Sequence, residues 1–373
     1  MRRLVLAALL LPTAATAQFV LQQSNTTVGL RGIANVDGKV AWASGGSGTV
    51  LRTLDGGNHW MPCATPPNAE KLDFRGIQAF DDKTAVIMSS GKGDSSRIYQ
   101  TSDGCATWKL AFTNPDAPDG FFDAMHFTSR DQGWLLGDPV KGSFYLAQTT
   151  DGGAGWTQSK SPDLNGPTKD IGAFAASNQS FAFTLFGPMF GGGAGYLYRG
   201  VWPGCSQSQS YNDPAECLNR IPFDRIHLPF PSANGGSGIF AISSATLLSG
   251  DAMSNGTLSQ TLIAVGGDYT TPASAIGTAA YSHDVGLTWQ PATTLPGGYR
   301  STVAHDAATK TWITTGPNGT DISTDNGMTW KPLTPAKGDA PDADKNWNAL
   351  SLPFVVGPKG RIGRLRPDAL RSK

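Results

Sequence analysis

A chain of 373 residues with 29 basic and 29 acidic side chains has no formal net charge, and its charged fraction of 16% is low against the usual value of about 25%. That balance excludes an electrostatic grip on nucleic acid or on acidic lipid as the basis of function. With 46 Gly, 25 Pro and 10 Trp, and short apolar runs in place of amphipathic helical periodicity, the composition points to a turn-rich all-β protein.

The first residues are Met1-Arg2-Arg3, followed by an apolar run over residues 4–11 and a stretch ending Ala15-Thr16-Ala17. A basic start, a short apolar core and an Ala-x-Ala end are the parts of a secretory signal peptide, here cleaved after Ala17. The run is too short to span a bilayer, and no later segment is long and apolar enough to do so. The expected product is a secreted or periplasmic protein without stable membrane insertion. Its expected parts are a signal peptide over 1–17, one β domain over 18–366 and a C-terminal tail over 367–373.

One pattern, Ser/Thr-x-Asp-x-Gly-x-x-Trp, recurs along the mature chain. It pairs Asp55 with Trp60, Asp151 with Trp156, Asp284 with Trp289 and Asp325 with Trp330; a fifth copy, Asp103 with Trp108, has Cys105 in place of the glycine. The hydroxyl and carboxylate tie the backbone of a tight turn, the glycine takes left-handed angles, and the Trp packs beneath the hairpin. The motif, an Asp box, is therefore a structural staple. The carboxylates are consumed by the turn and are not catalytic candidates.

Apart from one long gap between Asp151 and Asp284, the boxes are spaced by about 40–50 residues, the size of a four-stranded propeller blade. Innermost strands are predicted at 30–33, 74–77, 121–124, 170–173, 237–240, 299–302 and 347–350. Second strands are predicted at 40–44, 84–89, 133–137, 181–186, 261–265, 311–315 and 353–357. That gives seven blades. The seventh is short and lacks an Asp box, so Phe19-Val20-Leu21-Gln22-Gln23 is expected to supply its outer strand and close the ring, which removes free sheet edges.

Four cysteines in an exported chain suggest two disulfides among three possible pairings. Cys205 and Cys217 flank a polar stretch and are expected to close it. Cys63 follows the first Asp box and Cys105 lies in the second, so their bridge would staple blade one to blade two.

The sequence resembles the photosystem II stability/assembly factor-like family of exported bacterial proteins over nearly the whole mature chain. The likeness rests on Leu30-Arg31-Gly32-Ile33 with Val40-Ala41-Trp42-Ala43-Ser44-Gly45, on Gly133-Trp134-Leu135-Leu136-Gly137-Asp138-Pro139 and on Val265-Gly266-Gly267-Asp268-Tyr269. It continues in Gly298-Tyr299-Arg300-Ser301, Gly316-Pro317-Asn318-Gly319-Thr320 and Val356-Gly357-Pro358-Lys359-Gly360-Arg361-Ile362. The resemblance implies a seven-bladed propeller that works by binding another protein, with no cofactor.

Sialidases also carry Asp boxes, but here the Arg220-Ile221-Pro222 signature is in mid-chain and the only two Glu, Glu70 and Glu216, are poorly placed to activate a Tyr. A secreted carbohydrate-active hydrolase or lyase is the alternative, with Asp138 and Asp268 as the candidate carboxylate pair; each also suits capping its own turn. Metal-binding and nucleophile motifs are absent. Gly191-Gly192-Gly193-Ala194-Gly195 joins two strand-like runs and opens no helix, so it reads as a hairpin and not as a phosphate loop.

Aligning the inner strands places Arg31, Arg75 and Arg300 at one position in three blades, with Asn348 between them, and Lys92 and Lys359 in loops after second strands. The expected result is a positive arc at one channel mouth. Such an arc suits an acidic segment or a C-terminal carboxylate of a partner protein, because a guanidinium forks onto carboxylate oxygens. The expected state is a monomer.

Overall fold

The computed structural model describes residues 18–159, 171–184, 186–201, 221–232, 235–245, 253–254, 257–258 and 260–371. Apart from a two-stranded pair of Met253–Ser254 with Thr257–Leu258, these form seven four-stranded antiparallel sheets arranged as the blades of a propeller. Blade one consists of Leu30–Asn35, Ala41–Gly45, Val50–Thr53 and Met61–Pro62, and the next five blades follow in chain order. The seventh takes Ala349–Ser351, Phe354–Val356 and Ile362–Leu365 from the end of the chain and Phe19–Gln22 from its start. Phe19 pairs with Leu365 and Gln22 with Ile362, which is the closure expected from the short last repeat. Among the described residues no helix is long and apolar enough to cross a membrane.

Packing follows the ring. Each blade-to-blade junction holds one apolar cluster: Trp42 with Phe74 and Tyr99 between blades one and two, for example, and Trp347 with Ile313 and Phe19 between six and seven. Small residues at the ends of second strands set the spacing. A Cβ on Gly45, Gly266, Gly316 or Gly357 would lie within 2.3 Å of the carbonyl oxygen of Gly29, Gly238, Tyr299 or Asn346, respectively, so only glycine lets the inner strand enter this closely.

The five box turns share one geometry. Thr53 Oγ1 donates to Asp55 Oδ1 (2.9 Å), while the Gly57 N–H donates to Thr53 Oγ1 (2.9 Å) and the His59 N–H to Asp55 Oδ1 (2.9 Å). Cys105 occupies the glycine position of its turn at φ 65, and its sulfur is bonded to Cys63 across the junction of blades one and two. Cys205, Cys217 and Glu216 lie outside the described residues, as do residues 1–17, the expected signal peptide. The Gly191-to-Gly195 stretch is a hairpin turn between Pro188–Gly191 and Tyr196–Gly200, as expected. The last strand ends at Leu365, and in the segment after it Leu370 is buried in the cluster between blades six and seven.

Blade four departs from its expected pattern. Residues 171–173 are not a strand, and Phe181–Phe183, predicted as the second strand, is the first strand of its sheet. The cause is an insertion. Gly193 N–H bonds the Gly172 carbonyl (2.8 Å), matching Gly46 to Gly29 in blade one, and Gly191 N–H bonds Ser180 O. In blade one two residues, Leu30 and Arg31, separate the corresponding Gly29 and Gly32; here residues 173–179 separate Gly172 and Ser180, an excess of five.

The inserted loop crosses the central channel and bonds most of the other blades. The Met125 N–H of blade three donates to Asn178 Oδ1 (2.8 Å). Gln179 Nε2 donates to Leu350 O of blade seven (3.1 Å), and its Oε1 accepts from Thr302 Oγ1 and from the Val303 N–H (2.9 Å) of blade six. The Ile242 N–H of blade five donates to Gln179 O (2.8 Å). The loop is thus a hub that turns the channel into a cup with a floor.

Candidate binding site in the central channel

The cup has a volume of about 590 Å³. Its lining is set by a bulge common to the inner strands. Registers skip one residue between Leu30 and Gly32, Phe74 and Gly76, Phe122 and Ala124, and Ile239 and Ala241. The skipped residues are Arg31, Arg75, Asp123 and Phe240, and all four line the cup. A bulge re-aims one side chain out of the sheet's alternation, which here turns it toward the propeller axis. The glycine contacts described above place Ser301 and Asn348 at the same position in blades six and seven, and both also line the cup.

The positive arc is therefore smaller than expected. Arg31 and Arg75 converge on the Ala175 carbonyl of the floor, Nη2 of Arg31 at 3.5 Å and Nη1 of Arg75 at 3.3 Å. Arg75 also donates from Nε to Asp73 Oδ2 at 2.8 Å. Arg31 Nε is buried and has no hydrogen-bond partner. Burial, and after it the neighbouring Arg75 charge, lower the Arg31 pKa, so this is a cation held in an unfavourable setting.

Arg300 does not join them. It sits one residue earlier in its blade, at the position of Leu30, and points into the blade. There its Nε donates to Asp321 Oδ2 (2.8 Å) and its Nη1 to Asn318 Oδ1 (2.7 Å). Both Arg300 and Asp321 are buried. The alignment that matched Arg300 with Arg31 was out of phase by one residue, because no local sequence feature marks where the bulge begins.

Lys92 and Lys359 are exposed and lie outside the cup. Lys92 precedes the short turn Gly93–Ser95 on blade two, and Lys359 borders a groove beside the N-terminal strand. Asp268 likewise does not line the cup. Its Oδ1 accepts from Thr270 N–H (2.8 Å) and Oγ1 (2.6 Å), so it caps its own turn. Asn348 lines the cup, but its Nδ2 is committed to Leu30 O at 2.8 Å.

Asp138 lines the cup with a partner that the sequence reading missed, Asp123. Burial, and then the Asp138 charge, raise the Asp123 carboxyl well above the ordinary range. Burial also raises Asp138, against the Ala173 N–H that donates to its Oδ1 at 3.0 Å. The two carboxyls adjoin each other, so the charge on one disfavours ionisation of the other. Across the ring, an aromatic wall was also missed. Phe174 of the inserted loop stacks on Phe240 with centroids 3.7 Å apart, and Phe240 meets Tyr299 and Tyr269 edge-on at 4.7 and 6.1 Å. Among the described residues no group of three His, Cys, Asp or Glu could hold a metal ion.

No protein-family model and no curated protein matches the chain. Solved structures do. "YCF48 bound to D1 peptide" has 14% identity and a TM-score of 0.59 over 96% of this chain and 99% of that one. The fold is that of YCF48. YCF48 from Cyanidioschyzon merolae gives 16% identity and the same TM-score of 0.59 over 94% of this chain and all of that one. The extracellular domain of the putative one component system BT4673 from B. thetaiotaomicron gives 11% identity and a TM-score of 0.52, over 93% of this chain and 40% of that one. The likeness to YCF48 supports the expected resemblance to the photosystem II assembly factors at the level of fold.

Proposed function

We propose that this chain is an exported scaffold that binds a carboxylate-bearing segment of a partner protein through Arg31 and Arg75. The observation that carries the reading is the pair of guanidiniums meeting over one carbonyl in a floored cup, with Arg31 short of a counter-ion in contact. A desolvated guanidinium of this kind gains most from a ligand carboxylate, which supplies both the charge and the acceptors. YCF48, which has this fold, has been solved with a D1 peptide bound, so the architecture is compatible with a peptide ligand.

The carbohydrate-hydrolase alternative is weakened by the geometry of the acid pair. Glycosidases need their two carboxyls about 5–10 Å apart to admit the scissile bond or a water. Asp123 and Asp138 adjoin each other on one side of the cup, and Asp268 lies outside it.

The test is affinity capture from the native host's envelope with the tagged mature chain and with an Arg31→Ala, Arg75→Ala variant of unchanged thermal stability. A partner held by the first and lost by the second supports the reading. A partner held equally by both, or none with either, overturns it. Mass analysis of the chain from the host's periplasm checks export and cleavage after Ala17.

A further inference from the structure

We propose that the cup receives the last residue of a partner chain, and that this residue is aromatic. The inference rests on the carboxylate-binding reading above and adds to it the identity of the side chain.

The floor argues for a chain end. Residues 173–176 line the cup beneath the two arginines, so a segment that reaches that depth must stop or turn back. A terminus arrives with its own carboxylate. An internal Asp or Glu would have to bring two chain directions through one mouth. A volume of about 590 Å³ falls in the range of about 300–1,000 Å³ that small ligands occupy, which suits a few residues and not a doubled-back loop.

The wall argues for an aromatic side chain. In a ring of seven, blade five lies opposite the junction of blades one and two, so Phe240 and Tyr269 face the arginines. Tyr269 is 54% exposed, an unusual state for a large side chain on a cavity wall, and Phe174 is half-buried. Buried Phe240 braces both, stacked on one and edge-on to the other. Such an array leaves open ring surface at the spacing an additional ring prefers.

The remaining lining argues against charged alternatives. An acidic side chain would meet the Asp123–Asp138 pair, and a basic one would meet Arg31 and Arg75. Asn348 is already engaged with Leu30.

The experiment is a calorimetric titration of the whole mature protein with N-acetylated pentapeptides of one sequence ending in Phe, Ala or Glu, each as the free acid and as the C-terminal amide. The expected result is that the Phe acid binds about tenfold or more tightly than the Ala acid, that the Glu acid is weakest, and that amidation removes binding. Tyr269→Ala should close most of the gap between Phe and Ala, and Tyr269→Phe should keep it. Equal binding of all three acids overturns the aromatic inference and leaves the carboxylate reading standing. Equal binding of acids and amides, or binding of none, overturns both.

Discussion

Arg31 and Arg300 stand near the starts of two inner strands with similar sequence, Leu30-Arg31-Gly32-Ile33 and Tyr299-Arg300-Ser301-Thr302. One faces the channel, desolvated, with a carbonyl as its contact and no hydrogen bond on Nε. The other is enclosed in its blade with Asp321, Asn318 and the Tyr299 carbonyl around its fork. A single step of phase at the bulge separates them. The two arginines show that the same residue in the same repeat is either a binding element or a structural strut, according to which side of a bulge it enters.

The comparison predicts opposite responses to the same substitution. Arg300→Ala strands a buried Asp321 and should lower unfolding free energy by about 3–5 kcal/mol, read as a fall in the urea midpoint. Removing Asp321 as well should recover part of that loss. The hub comes next. Gln179→Ala leaves the Leu350 carbonyl, the Val303 N–H and the Thr302 hydroxyl without their partner and should cost about 2–3 kcal/mol, with the same readout. A Gln179→Ala protein as stable as the parent would show that the loop fills the channel without bracing it.

Arg31→Ala, in contrast, should change stability by less than about 1 kcal/mol in either direction, because it removes a desolvated cation that lacks an ion pair. It should abolish partner capture. If Arg31→Ala destabilises as much as Arg300→Ala, the distinction drawn between the two fails.

The smallest effect concerns the box turns. Hydrogen bonds from the His59 backbone and ring hold Asp55 at about 2, and those from the Thr107 hydroxyl and backbone hold Asp103 at about 2. The unfolded carboxyl titrates near 3.9. A depressed folded pKa gives stability that is present above the unfolded value and lost as pH falls toward the folded one. The Asp55→Asn, Asp103→Asn protein should therefore show a shallower loss of stability between about pH 4 and pH 2 than the parent, measured by urea unfolding across that window.

Much of this architecture was legible in the chain. The box turns, the number of blades, the closing strand and the Cys63–Cys105 bridge all follow from residues adjacent in sequence or from the interval between repeats. The site was legible only in part. Arg31, Arg75 and Asn348 were found, because strand-start alignment is correct where the bulge falls at the assumed place, and Asp138 because it follows a predicted second strand. Asp123 and Phe240 were within the aligned segments but out of phase, by one residue and by two respectively, and Phe174 was hidden by the insertion. One signal was available: a glycine in or just after the second strand of five blades, Gly45, Gly137, Gly266, Gly316 and Gly357, fixes the phase there once it is used as the anchor.

By itself, then, the sequence determined the elements and their count, since turn hydrogen bonds, left-handed glycines and strand alternation are short-range physics carried by neighbouring residues. The tertiary structure alone decided what faces the axis. Which side chain a bulge expels, where a five-residue excess goes, and which acid meets which all depend on contacts between blades that are far apart in sequence and held together by the closure of the ring.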